Sequence, residues 1–243
     1  MKMEDLAELE RRQTQILKRI TNLEQLSHLP QNIYNSSVSF SSSSSHKEEE
    51  ETTESRLSSI LHSNTVVDFS FKRVPSDYYE RSLDYRRDIL NAASVHHLCK
   101  SIVLVNTQAH ASVTDCSDRN NSKYYVVVVQ VHHSFILYSS RFNAETVKSF
   151  LYSLNNGKIP KKKFNLRLAP EEESAKLTGY EHNGVTCIGM KKVIPVILDE
   201  AIAKLNPDFF WLGGGEIDLK LGIRTSQFIN FIKPFIVSCS SSI

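Results

Sequence analysis

Apolar positions recur along this chain with two different periods, and the change from one to the other divides it. Leu6, Leu9, Ile16, Ile20 and Leu23 fall at steps of three and four, with Gln13 as the one polar intruder and Glu and Arg on the remaining faces. This spacing predicts an amphipathic or coiled-coil helix over residues 1–30. Its seam lasts about three heptads, the lower limit for a self-sufficient coiled coil, so the helix reads as an association element for a second copy, a partner or the domain that follows. Pro30 ends it. The run from Ser36 to Glu51, with its serine tract and consecutive glutamates, has too little apolar surface to fold. Residues 31–65 therefore read as a disordered Ser/Glu-rich linker.

From Val66 the period becomes that of strands and short helices. Val66 to Val74 alternates and closes at Pro75, after which Ser76 is placed to cap a helix through Tyr85 and Ile89 to about Ala93. Strands follow at Lys100 to Asn106 and Tyr124 to Val131. The unbroken valines of the second predict burial on both faces, and the two suit antiparallel pairing. Asn143 caps a helix from Ala144 to Leu154, stopped by Asn155, Asn156 and Gly157. Further strands are predicted at Phe164 to Leu168, Val193 to Leu198, Phe209 to Leu212 and Ile217 to Leu221, with helices at Pro170 to Lys176, Asp199 to Leu205 and Thr225 to Ile232. Strands outnumber helices and the helices are short. The expected fold is mixed α/β over residues 66–243, a curled, barrel-like and mostly antiparallel sheet with short flanking helices.

Composition narrows the function classes. The net charge is +2, so nucleic-acid contact must rest on local basic clusters rather than on the overall field. Cys99, Cys116, Cys187 and Cys239 have no Cys-x-x-Cys spacing, which suits a reducing compartment, and no run of 18 or so apolar residues is present to span a membrane. A cytoplasmic location is expected. His96-His97 and His132-His133 point to opposite faces of any strand and have no companion ligands, so neither a metal nor a cofactor is expected. No G-x-S-x-G elbow marks a serine nucleophile.

The segment Thr178-Gly-Tyr-Glu-His-Asn-Gly-Val-Thr-Cys-Ile-Gly-Met-Lys-Lys192 places three glycines between a helix and a strand. By pattern alone it is a turn, as Lys100 is a snorkelling charge at a strand end and Asp218 a turn aspartate. Three motifs in order change that reading. Thr178-Gly179-Tyr180 with Lys191-Lys192, the strand Leu98-Cys-Lys-Ser-Ile-Val-Leu-Val105, and Phe209-Phe-Trp-Leu-Gly-Gly-Gly215 followed by Ile217-Asp218 together resemble the YbaK-type aminoacyl-tRNA deacylases, relatives of the editing domain of bacterial prolyl-tRNA synthetases. The chain departs from the family's G-x-x-x-P loop, carrying Asn183 for its first glycine and Cys187 for its proline, with Gly184 next to Asn183. Loop shape, and with it the accepted amino acid, is where these departures act.

The resemblance implies a trans-acting deacylase that cleaves the ester of a small mischarged amino acid from tRNA. It implies Lys100 and Asp218 as catalytic residues, with Gly179, Tyr180, Asn183, Gly184, Thr186 and Gly213, Gly214 and Gly215 binding substrate. Cys187 reads as a small structural filler. Lys161, Lys162 and Lys163 before the loop, with Lys191 and Lys192 after it, are candidates for the tRNA backbone. The expected partner is the acceptor end of tRNA, not DNA or a membrane, with a synthetase or a second copy engaged through residues 1–30. The competing reading is a catalytically inactive tRNA-binding or scaffold module that recruits translation factors through that helix.

Overall fold

The computed structural model of the chain describes residues 51–131 and 143–239. The helix expected over residues 1–30, most of the linker and the His132-His133 pair lie outside the described residues.

The first described element corrects the linker boundary. Residues Thr53–Ser63 form helix α1, capped by the Thr52 hydroxyl, which accepts from the Ser55 amide at 3.1 Å. Leu57 and Leu61, one turn apart, are fully buried in the main core. A linker reading missed this helix because only a narrow stripe of its surface is apolar, and that stripe has no meaning until the sheet it covers exists.

Strand β1 (Phe69–Arg73) follows. The single helix expected after Pro75 is broken in two: a 3-10 turn at Tyr78–Glu80 and helix α2 at Leu83–Leu90. Arg81 is extended and Ser82 starts a new helix by accepting from the Tyr85 amide at 3.3 Å, so the nearer cap wins over Ser76. Asn91 closes α2 in the left-handed conformation.

Strands β2 (Cys99–Asn106) and β3 (Tyr124–Gln130) pair antiparallel, with Lys100 opposite Val129. Val126 and Val128 enter one core while Tyr125, Val127 and Val129 enter another, so β3 is buried on both faces as its valine run predicts. After α3 (Ala144–Leu154), the short strand β4 (Leu166–Leu168) pairs antiparallel with the far end of β2. Helix α4 (Glu171–Thr178) leads into the glycine loop. Strand β5 (Val196–Asp199) then pairs parallel with β3, and α5 (Glu200–Ala203) follows it.

Strands β6 (Phe210–Gly213) and β7 (Leu219–Ile223) form an antiparallel ladder, α6 spans Thr225–Ile232, and β8 (Phe235–Val237) joins β5 in parallel. β8 has no counterpart in the sequence reading; three residues after Pro234 are too few to show a period.

The strands make two sheets, β1-β7-β6 and β4-β2-β3-β5-β8. The expected antiparallel pairing predominates, but the β3-β5-β8 portion is parallel and no closed barrel forms among the described residues. Among the described residues the backbone link between the two sheets is one bridge, from Leu98 just before β2 to Trp211 of β6. With no ladder beyond that bridge the sheets part, and the opening between them is the pocket described next. No helix among the described residues is long and apolar enough to cross a membrane.

Candidate active site

The pocket is walled by Leu98 just before β2 and Lys100 of β2, Trp211 and Gly213 of β6, Lys220 of β7, and the Tyr78 and Tyr79 side chains that the break before α2 swings over it. Asn183 of the glycine loop closes one side. Of the residues singled out from sequence, Lys100, Asn183 and Gly213 meet here.

Lys100 leaves β2 half-buried and donates from Nζ to Asn183 Oδ1 at 3.0 Å. Burial lowers its pKa and the positive charge of Arg86 lowers it further, while Glu171 works in the opposite direction. Asn183 sits at φ 65°, a left-handed conformation that asparagine tolerates better than most side chains. It therefore fills a position where the family carries glycine, and it adds an amide oxygen that a glycine lacks. Its own carbonyl accepts from the Tyr79 hydroxyl at 2.9 Å.

The neighbouring glycines serve a different purpose from the one their loop suggests. The Gly184 amide donates to Glu181 O at 3.0 Å, the Gly215 amide to Gly184 O at 2.9 Å and the Gly214 amide to Leu219 O at 2.9 Å. All three are spent inside the protein and do not face a ligand. What the glycines permit is contact between two backbones: a Cβ on Gly213 would lie 2.4 Å from Val185 O, and one on Gly184 would lie 3.1 Å from the Glu216 carbonyl carbon. Gly213→Ala is accordingly expected to cost about 1–3 kcal/mol, since backbone on both sides must separate. Thermal unfolding measures this; a melting temperature equal to that of the wild type would mean that the two turns are not locked together.

Helix α1 lies over both turns. Arg56 reaches Gly189 O at 3.2 Å and Tyr180 Oη at 3.1 Å, and a Cβ on Gly215 would meet the Thr53 methyl at 2.6 Å. Tyr180 is buried, with its hydroxyl donating to Ile188 O at 2.6 Å, so it braces the loop from behind and does not line the pocket. Gly179 ends α4 in the left-handed conformation, and Thr186 is fully buried in the loop. Cys187 is buried beside the Ser101 hydroxyl, and burial pushes its thiol up to about 12, so it is protonated and unreactive near neutrality.

Asp218 does not line the pocket. Its carboxylate pairs with Arg73 at 2.9 Å on the surface, its side chain 46% exposed. Its charge still reaches Lys220. The basic residues separate as well. Lys163 O holds the Asn106 side chain at the far end of β2, six residues from Lys100, or about 20 Å of extended strand. Lys161 and Lys162 share that end, and Lys191 and Lys192 are exposed beyond α4.

Sequence reasoning missed Lys220, Tyr79 and Arg86. Lys220 is only 5% exposed, and burial first, then the charges of Lys100 and Arg86, lower its pKa to about 7. In sequence it alternates with Leu219 and Leu221, which reads as a polar residue on a solvent face; the 3-10 turn and α2 cover that face. Arg86 is buried over the Tyr78 ring at 5.4 Å and donates to Arg81 O at 3.0 Å. Lys100 and Arg86, with Lys220 beside them, set positive charge among apolar walls, which suits a group that carries or develops negative charge. His97 is a buried packing residue, its ring between the Ser94 hydroxyl and the Pro207 carbonyl. Among the described residues no three His, Cys, Asp or Glu side chains gather as a metal site.

Residues 154–231 match the family model of the aminoacyl-tRNA editing domain. That segment holds the glycine loop, the late glycine turn and Lys220. No sequence among the curated proteins matches the chain. Among solved structures, a proposed trans-editing enzyme for prolyl-tRNA synthetase superposes with a TM-score of 0.56 at 17% identity, over 78% of this chain and 98% of that one. A scaffold used for computational epitope backbone grafting gives 0.54 at 14% identity, over 79% and 98%. A protein described as hypothetical gives 0.52 at 16% identity, over 75% and 98%. At such identities the likeness is one of fold. The resemblance to the YbaK-type editing domain is borne out by the family match and by this fold.

Proposed function

We propose that this chain, which carries an aminoacyl-tRNA editing domain, is a trans-acting deacylase that hydrolyses the ester of a small mischarged amino acid on tRNA. The observation that carries the reading is the Lys100 ammonium held 3.0 Å from Asn183 Oδ1 at the wall of an apolar-sided pocket. An ammonium fixed there stabilises the negative charge that develops on an ester carbonyl oxygen under attack by water. No covalent protein intermediate is needed. Trp211 and Tyr78 narrow the apolar side, which supports a small side chain on the substrate.

The terminal adenosine would enter the pocket while the acceptor stem runs along the β2 edge toward Lys161, Lys162 and Lys163, whose distance from Lys100 fits phosphate contacts several nucleotides away. Lys191 and Lys192 would hold a second stretch of backbone. Such contacts set position without reading bases. In this reading residues 1–30 join the domain to a synthetase or to a second copy.

The test is a panel of tRNAs charged with alanine, cysteine, serine or threonine, incubated with the full chain. Hydrolysis of at least one above the uncatalysed rate is expected. If tRNA is bound and none is hydrolysed, the chain is a binding module and the deacylase reading is wrong.

A further inference from the structure

We propose that Lys220 is the proton acceptor of this site, taking a proton from the hydrolytic water and returning it to the leaving ribose oxygen. The inference rests on the deacylase reading above and assigns a residue that the sequence motifs do not mark.

The geometry around Nζ carries it. Lys220 is buried yet lines the same pocket as Lys100. Its Nζ donates to the Tyr79 hydroxyl and, at 3.0 Å, to Ile217 O. Two N–H groups are thus used, and the remaining tetrahedral direction is a lone pair whenever the group is an amine. Tyr79 in turn donates to the carbonyl of Asn183, the residue whose side chain holds Lys100. One residue therefore registers both lysines against each other.

The charges facing Lys220 favour the amine. Lys100 comes from β2 and Arg86 from α2, while Lys72 lies opposite it in the β1 register. The Tyr79 ring centroid, 4.6 Å away, and that of Tyr78, 5.4 Å away, work the other way, because a ring face attracts the ammonium. The anion facing it is Asp218, which is shared with Arg73. Burial first, then the charges of Lys100 and Arg86, bring the ammonium down to about 7, with Asp218 pulling the other way. Lys100, whose pKa is also lowered, keeps an amide oxygen as acceptor and suits the role of fixed cation. The two lysines divide the work.

The step balances without any co-reactant beyond water. The water oxygen bonds to the ester carbonyl carbon as its O–H bond breaks; the proton goes to the Lys220 lone pair, and the carbonyl π pair moves onto the oxygen that faces Lys100. On collapse the carbonyl re-forms and the bond to the ribose oxygen breaks. That oxygen takes the proton from Lys220, which restores the amine and releases a free amino acid and tRNA.

The test measures single-turnover hydrolysis of the four charged tRNAs from pH 6 to 9 by the full chain, with uncatalysed ester loss subtracted, for wild type, Lys220→Met and Lys220→Arg. Because the neutral amine is the active form, the wild-type rate is expected to rise with pH and level off above about 7. Both variants are expected to lose about 100-fold or more and to lose that rise, since methionine takes no proton and arginine stays charged. In parallel, 13Cε-lysine NMR is expected to show one signal titrating near neutrality that vanishes in Lys220→Arg and moves to higher pH in Lys100→Ala, where a facing charge is gone.

Folding of Lys220→Met is checked by melting curves. The pKa of Lys220 is lower in the folded chain than in the unfolded one, so the unfolded state binds more protons between about 7 and 10.4 and wild-type stability rises with pH across that window. Lys220→Met should therefore melt above wild type at pH 7, by a margin that shrinks toward pH 10. If the variants keep the pH-dependent rise, or no lysine signal titrates near neutrality, Lys220 is not the base while wild-type hydrolysis leaves the deacylase reading standing. If wild type cleaves none of the four substrates, both fail together.

Discussion

Lys100→Ala is expected to reduce single-turnover deacylation by about 10²–10³-fold while leaving tRNA binding nearly intact, the loss typical of removing one donor from a developing oxyanion. The ammonium does its work on charge that exists only in the transition state, so the deficit should fall on the rate at saturating enzyme and not on the half-saturation point. Lys100→Arg is not expected to rescue it. The guanidinium is a wide planar fork, and the pocket wall already holds Asn183 Oδ1 at 3.0 Å from Nζ, with the buried Arg86 as a further cation. Melting curves should show both variants folded. Equal hydrolysis by Lys100→Ala and wild type would remove Lys100 from the mechanism, and with it the observation on which the function rests.

The second large effect is on stability. Replacing both Leu57 and Leu61 by alanine in the full chain is expected to cost roughly 4–10 kcal/mol, because each fully buried leucine typically costs 2–5 kcal/mol when truncated. The two are neighbours on one face of α1, so the sum is an upper bound on an interacting pair. A domain of this size has only about 5–15 kcal/mol to lose, so the double variant should be largely unfolded at growth temperature. Urea titration followed by circular dichroism would measure it. A midpoint close to that of wild type would show that α1 is an appendage and not part of the core. Activity should fall with folding, since α1 lies over Gly189 and Gly215 and fixes the two glycine turns that hold Asn183 in place.

Much of the architecture was legible along the chain. The valines of β3, the cap and stop of α3 and the span of α6 follow from local rules, because burial on two faces, an asparagine cap and a helical period each leave a mark within a few residues. The editing-domain resemblance was legible as well, from three short motifs in order. Lys100 was found only through that resemblance, since a lysine at a strand end has no local mark of chemistry. Asp218, found the same way, pairs with Arg73 at the surface, and the Lys161 to Lys163 cluster, adjacent to the loop in sequence, stands at the other end of β2.

What only the tertiary structure decided is where polar groups lose water. Lys220 and Tyr79 belong to segments that read as an ordinary alternating strand and an ordinary helix start; a bridge between β2 and β6 and a cap at Ser82 bring them to one pocket. Of the glycines that the resemblance implies as substrate-binding, Gly184 and Gly213 stand where two backbones touch. Periodicity and caps act over a few residues and so are written in the sequence. Desolvation, which lowers the pKa of Lys220 to about 7, depends on atoms more than a hundred residues away, and those are set by packing alone.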